Sequence, residues 1–220
     1  MRWLATLLYL ILIVMVWGAL REAFPRAQGP ILFLVTGVLS FVATIFHEAG
    51  HAVAVKLIGG RVTRFCVMPF ALSFRPLRIR LAHRLKGGGD VGGFVSFQLG
   101  RTPSRREDIA IAAAGPAASM LLALVILLIL AVASLSPETG ALVVQTGAPD
   151  GAMPPQSLPS DAAIEEAFRL RRAELAWALG AGLAKALAVL TAGFGIINLV
   201  PFDRSDGSVI VRALARRRSA

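Results

Sequence analysis

Cysteine is almost absent: Cys66 is the only one, so a single chain can build neither a disulfide framework nor a cysteine metal cluster. Charge is also scarce, at 16% of 220 residues against about 25% in ordinary soluble domains, while 56% of the residues are hydrophobic. That balance argues against a soluble globular chain and for a membrane protein. The formal net charge of +10 does not indicate nucleic acid, because the basic residues alternate with long apolar segments and form no stripe interleaved with stacking aromatics. Glycines cluster at positions 87–89, 92 and 93, but no Lys-Ser/Thr pair follows them, which excludes a P-loop. There is no internal repeat and no polar stretch long enough for a separate soluble module, so residues 1–220 are expected to form one domain.

What the chain has instead is long apolar runs. About 20 mostly apolar residues cross a bilayer as a helix, and residues 3–20, 30–58, 109–135 and roughly 176–202 supply four such segments. The first follows Arg2 and shows no small-x-small cleavage site before Arg21 and Pro25, so residues 1–29 read as a retained N-terminal anchor. Residues 30–212 then form a core of three spans. Lys and Arg mark cytoplasmic loops. Arg61, Arg64, Arg75, Arg78, Arg80, Arg84, Lys86, Arg101, Arg105 and Arg106 fall between the second and third spans, and Arg212, Arg216, Arg217 and Arg218 in the tail. The segment after the third span is acidic by comparison. The expectation is an integral multi-pass protein with that loop and both termini in the cytoplasm, in a compact form that suits a bacterial inner (plasma) membrane.

The fold class expected is therefore an all-α membrane protein of about four transmembrane helices, with a small strand-containing cytoplasmic loop between the second and third. Strands are expected there because apolar residues partly alternate: Phe65 and Val67, Leu72 and Phe74, then Leu77, Ile79 and Leu81. A flexible glycine turn over Gly87–Gly93 precedes a second apolar patch, Phe94 to Phe97. Cys66 reads as a small buried apolar residue. Residues 136–160, rich in Pro, Gly and Ser, read as an irregular outer loop. From Asp161, an N-cap, to Arg172 the pattern predicts a separate amphipathic helix on the outer surface before the last span. Lys185 either snorkels outward near the start of that span or faces the protein interior.

Chemistry concentrates in the second span, at Phe46-His47-Glu48-Ala49-Gly50-His51. On a helix, positions i and i+4 share a face, so His47 and His51 can reach one metal ion, and Glu48 lies close enough to act on a water there. Ionisable residues so closely spaced within a membrane helix are costly unless they are functional. Catalytic zinc takes three protein ligands and leaves a fourth position open, so a third ligand must come from elsewhere. Asn198-Leu199-Val200-Pro201-Phe202-Asp203-Arg204-Ser205-Asp206-Gly207 ends the last span at similar depth and offers two acids.

His-Glu-x-Gly-His on an apolar helix, followed far downstream by Asn-x-x-Pro-x-x-x-x-Asp-Gly, resembles the site-2 protease family of intramembrane zinc metalloproteases. The resemblance covers residues 30–212. It implies one Zn2+ per chain held by His47, His51 and Asp206, with Asp206 preferred over Asp203, and Glu48 as the catalytic acid–base group. It implies that Asn198 and Pro201 interrupt the last helix and bind substrate backbone. Its implied partners are the lipid bilayer and a membrane protein whose transmembrane helix is cleaved; no nucleic acid is expected. Gly115-Pro116-Ala117-Ala118-Ser119 matches the family's Gly-Pro-x-x-Asn pattern except for Ser119, where Asn is usual.

Two alternatives stay open at this point. One is a membrane-anchored zinc protease with a soluble catalytic domain, in which Glu107 would be the third ligand. The other is a metal-binding, non-proteolytic membrane scaffold of the same fold, which would have no use for Glu48.

Overall fold

The computed structural model describes residues 2–81, 92–135, 161–203 and 205–216. Gly87–Gly89, the loop 136–160, the side chain of Asp161 and the basic tail beyond Arg216 lie outside the described residues. The order of elements is α1 (Arg2–Ala23), α2 (Gly29–Leu57), β1 (Arg61–Val67), β2 (Phe70–Phe74), β3 (Leu77–Leu81), β4 (Gly93–Gln98), α3 (Arg105–Ser134), α4 (Asp161–Leu199) and α5 (Asp206–Ala215). The chain is thus mostly helical with a small antiparallel sheet, and α1 to α4 are each long and apolar enough to cross a membrane.

Local sequence explains where the helices begin and end. α1 runs into the Phe24-Pro25 turn, and Pro30 opens α2, where its missing N–H costs nothing. α3 starts with a capping box: Ser104 Oγ accepts the Glu107 N–H at 3.4 Å, and Glu107 Oε2 accepts the Ser104 N–H at 2.8 Å. Arg101 grips the same Glu107 carboxylate with both guanidinium NH2 groups. Glu107 is thereby committed to holding a helix end, which removes it as a third metal ligand.

The last long helix departs from the expectation. Residues 161–172 do not form a helix of their own but are the first part of α4, a single helix of 39 residues. The stretch from Arg172 to Leu179 is rich in Ala, Leu and Glu and has neither Pro nor Gly, so nothing breaks it. Arg169 pairs with Glu166 at 2.7 Å and Arg171 with Glu174 at 3.3 Å, one turn away in each case. At 1.5 Å per residue such a helix is about 58 Å long, roughly twice the hydrocarbon thickness. Its charged N-terminal half therefore extends beyond the apolar zone. Lys185 is exposed, away from the protein interior.

The core lies between α1, α2 and α4. Leu12, Val16 and Leu20 of α1 pack with Leu32 and Ala43 of α2, with Ala186, Leu190 and Ile197 of α4, and with Phe202 just beyond it. The outer faces carry exposed Val14, Phe33, Leu34, Leu121 and Ile129, an apolar surface that suits lipid.

The sheet is four-stranded, in the order β3-β2-β1-β4. It pairs Cys66 with Ala71 on one side and with Phe94 on the other. These three close a small apolar cluster, and burial raises the Cys66 thiol above its ordinary pKa. Gly93 belongs to β4 and not to the turn where sequence placed it.

Candidate metal centre

Three elements converge on one point. α2 presents His47 and His51 one turn apart, with ring centroids 5.0 Å apart and planes at 79°. α5 presents Asp206 at its first residue. This is where an α-helix best tolerates a carboxylate, because its unpaired N–H groups and macrodipole favour negative charge. His47 Nε2 lies 3.0 Å from Asp206 Oδ2, and His51 Nε2 lies 3.4 Å from Asp206 Oδ1. All three ligand atoms fall within 4.8 Å of one another.

The turn that delivers Asp206 has its own logic. α4 ends at Leu199, ahead of Pro201, which cannot continue a helical ladder. Ser205 then caps α5: its Oγ accepts the Ser208 N–H at 3.1 Å, while its hydroxyl lies within bonding distance of the Val200 carbonyl at 2.7 Å. Gly207 must be glycine, because a Cβ there would overlap the Leu199 carbonyl. The Asp-Gly pair is thus a ligand followed by the one residue that lets the chain fold back against the end of α4. At its far end α5 is tied to α3 by Arg216, which donates to Asp108 at 2.8 Å.

α3 supplies the wall behind the histidines. Ile111, Gly115 and Ser119 follow one another at helical spacing on one face. The Ile111 carbonyl accepts the His51 Nδ1–H at 2.7 Å, and Ser119 Oγ lies 3.0 Å from His47 Nδ1. Between them, a Cβ at Gly115 would overlap His51 Nε2 and come within 2.8 Å of His47 Nε2. Pro116 follows inside the helix.

The donor set fits a divalent cation. A carbonyl can only accept, so His51 carries a proton on Nδ1, and in the neutral ring Nε2 is a lone pair facing a carboxylate oxygen at 3.4 Å. A cation between them, a metal ion or the second proton of a charged imidazole, satisfies both acceptors. Tetrahedral ligands about 2.1 Å from zinc sit about 3.4 Å apart, close to the spacing of each histidine from Asp206. Burial raises the Asp206 carboxyl, but the His47 and His51 hydrogen bonds outweigh it and hold the group below the ordinary carboxylate value.

Glu48 is buried beside this group, and β4 begins directly against it: a Cβ on Gly93 would lie 2.9 Å from Glu48 Oε1. A cavity of about 1000 Å³ opens over His47, Glu48, His51 and Asp206. Asn198, Asp203 and Tyr9, the only tyrosine in the chain, also line it. Asp203 is exposed and stands outside the ligand group, and Pro201 is exposed and away from the cavity. The sequence reading missed the contributions of Ile111, Gly115 and Tyr9, although a Gly-Pro pair inside an apolar helix was a signal for the second.

The model of Peptidase family M50 matches residues 33–220, which takes in every residue of the centre. No curated protein and no solved structure matches the chain.

Proposed function

Because the chain belongs to peptidase family M50, the site-2 protease family, we propose that it is an intramembrane zinc metalloendopeptidase that cleaves transmembrane segments of other membrane proteins. The observation that carries this reading is the convergence of His47, His51 and Asp206 within 4.8 Å, with Glu48 in the same cavity. A zinc ion held by those three residues would supply a Lewis acid that polarises the scissile carbonyl and acidifies water.

The chain's own residues do the rest. Glu48 takes a proton from the attacking water and delivers it to the leaving amine. Its burial against β4 fixes the carboxylate on the side from which a substrate strand approaches. β4 pairs only with β1 among the described strands, so its second edge is open to the cavity. A substrate helix must unwind to expose a peptide bond, and an extended segment added along β4 would lie beside Glu48. Asn198 holds the backbone of that segment through its amide, and Pro201 ends α4 so that Asp206 can turn inward. The products include a released cytoplasmic fragment of the substrate.

The site's place on apolar helices makes the bilayer the working medium, and orientation by positive charge puts the sheet and both termini in the cytoplasm. The test is cleavage of a transmembrane model substrate by the detergent-purified chain, with and without a zinc chelator. Chelator-sensitive cleavage supports the reading, and cleavage indifferent to metal removal opposes it.

A further inference from the structure

Of the groups that α3 sets against the two histidines, Ser119 is the one whose side chain makes the contact. Ile111 acts through its carbonyl and Gly115 by leaving space. Ser119 is 0% exposed, and its Oγ meets His47 Nδ1, 72 positions away in sequence. A buried hydroxyl in an apolar helix is costly unless it is hydrogen-bonded, and this one is spent on a metal-ligand candidate.

We infer that Ser119 is a positioning residue, which holds His47 in the ring orientation and tautomer required for metal binding. The inference rests on the metalloprotease reading. The chemistry turns on the two ring nitrogens. With a metal ion on Nε2, the proton of His47 must sit on Nδ1, and Ser119 Oγ at 3.0 Å is its acceptor. Without the ion, the neutral ring can give its Nε2–H to Asp206 Oδ2, also at 3.0 Å. Nδ1 is then a lone pair, and the Ser119 hydroxyl rotates to donate to it.

A hydroxyl serves both tautomers, because it donates and accepts. The carbonyl that holds His51 can only accept, so that ring stays in one tautomer whether or not metal is bound. The two ligands therefore differ: His51 is fixed by backbone, and His47 is adjustable through Ser119. An Asn amide also donates and accepts, so it can fill the same role. An alanine methyl can do neither, yet it leaves the packing of α2 on α3 almost unchanged.

The experiment measures Co2+ affinity by chelator competition on the full detergent-purified chain, in wild type, Ser119→Ala and Ser119→Asn, together with the melting temperature of each metal-free protein. The expected result is a loss of about 10–100-fold in Co2+ affinity for Ser119→Ala. Its metal-free melting temperature stays unchanged, and most of the affinity returns in Ser119→Asn. Affinity within about twofold of wild type in Ser119→Ala overturns the inference and leaves the protease reading standing. So does an affinity loss that comes with a lower metal-free melting temperature and is not repaired by Ser119→Asn, since that pattern marks general damage to packing. A wild type that binds no Co2+ at all overturns both.

Discussion

Gly115 of α3 faces His51 of α2 so closely that a Cβ at position 115 would come within 2.6 Å of the imidazole Cε1 and overlap Nε2. The helix itself would gain from alanine there, by up to about 1 kcal/mol of intrinsic propensity. The metal site would not. Gly115→Ala is expected to lower metal affinity by about 10–100-fold, as displaced ligands do, while helix content by circular dichroism stays the same. Metal affinity equal to wild type would show that the two helices can separate without cost to the site.

The two acids after α4 are expected to behave differently. Asp206 meets both histidines, whereas Asp203 is exposed at the cavity rim. Asp206→Ala should abolish stoichiometric metal binding, and Asp203→Ala should retain it. Metal analysis after size-exclusion chromatography decides between them, and the reverse pattern would move the third ligand to Asp203.

Asp206 depends on the cap that precedes it. Ser205→Ala removes the oxygen that accepts the Ser208 N–H and the hydroxyl that reaches the Val200 carbonyl. Loss of such a cap costs about 1 kcal/mol, which corresponds to roughly a fivefold change in an equilibrium constant. A fall of about that size is expected in metal affinity, read by chelator competition, because the cap orients the ligand that follows it.

The sheet is expected to serve the substrate and not the metal. Val95→Pro interrupts β4, where the open edge borders the cavity. Cleavage of a transmembrane substrate should fall at least about tenfold with zinc content unchanged, each measured on the same preparation. Unaltered cleavage would remove the strand-addition role from β4.

Much of this architecture is legible in the sequence. The four apolar runs survive as helices because a helix satisfies its backbone groups internally in lipid and runs of this length match a helical span, and the spacing of His47 and His51 needs only helical periodicity to place both on one face. Alternation at Phe65, Leu72 and Ile79 marked the strands. The unbroken α4 was harder to see, since the charges from Glu165 to Glu174 suggest a change of environment although no residue there breaks a helix. The contributions of Ile111 and Gly115, and what Ser119 touches, were hidden for another reason: they matter only through which face of α3 meets α2, a tertiary fact with no periodic signature. Gly93 likewise looks like part of a loop until β4 is paired with β1 and brought against Glu48.

The proposed hydrolysis needs one bound metal ion and the Glu48 carboxylate acting together on the peptide bond. The most direct test measures metal content and cleavage of a transmembrane substrate in the wild type beside Glu48→Gln. One zinc per chain is expected in both proteins, with a loss of about 100-fold or more in cleavage for Glu48→Gln. A wild type without metal, or a Glu48→Gln protein that cleaves as fast as wild type, would contradict it.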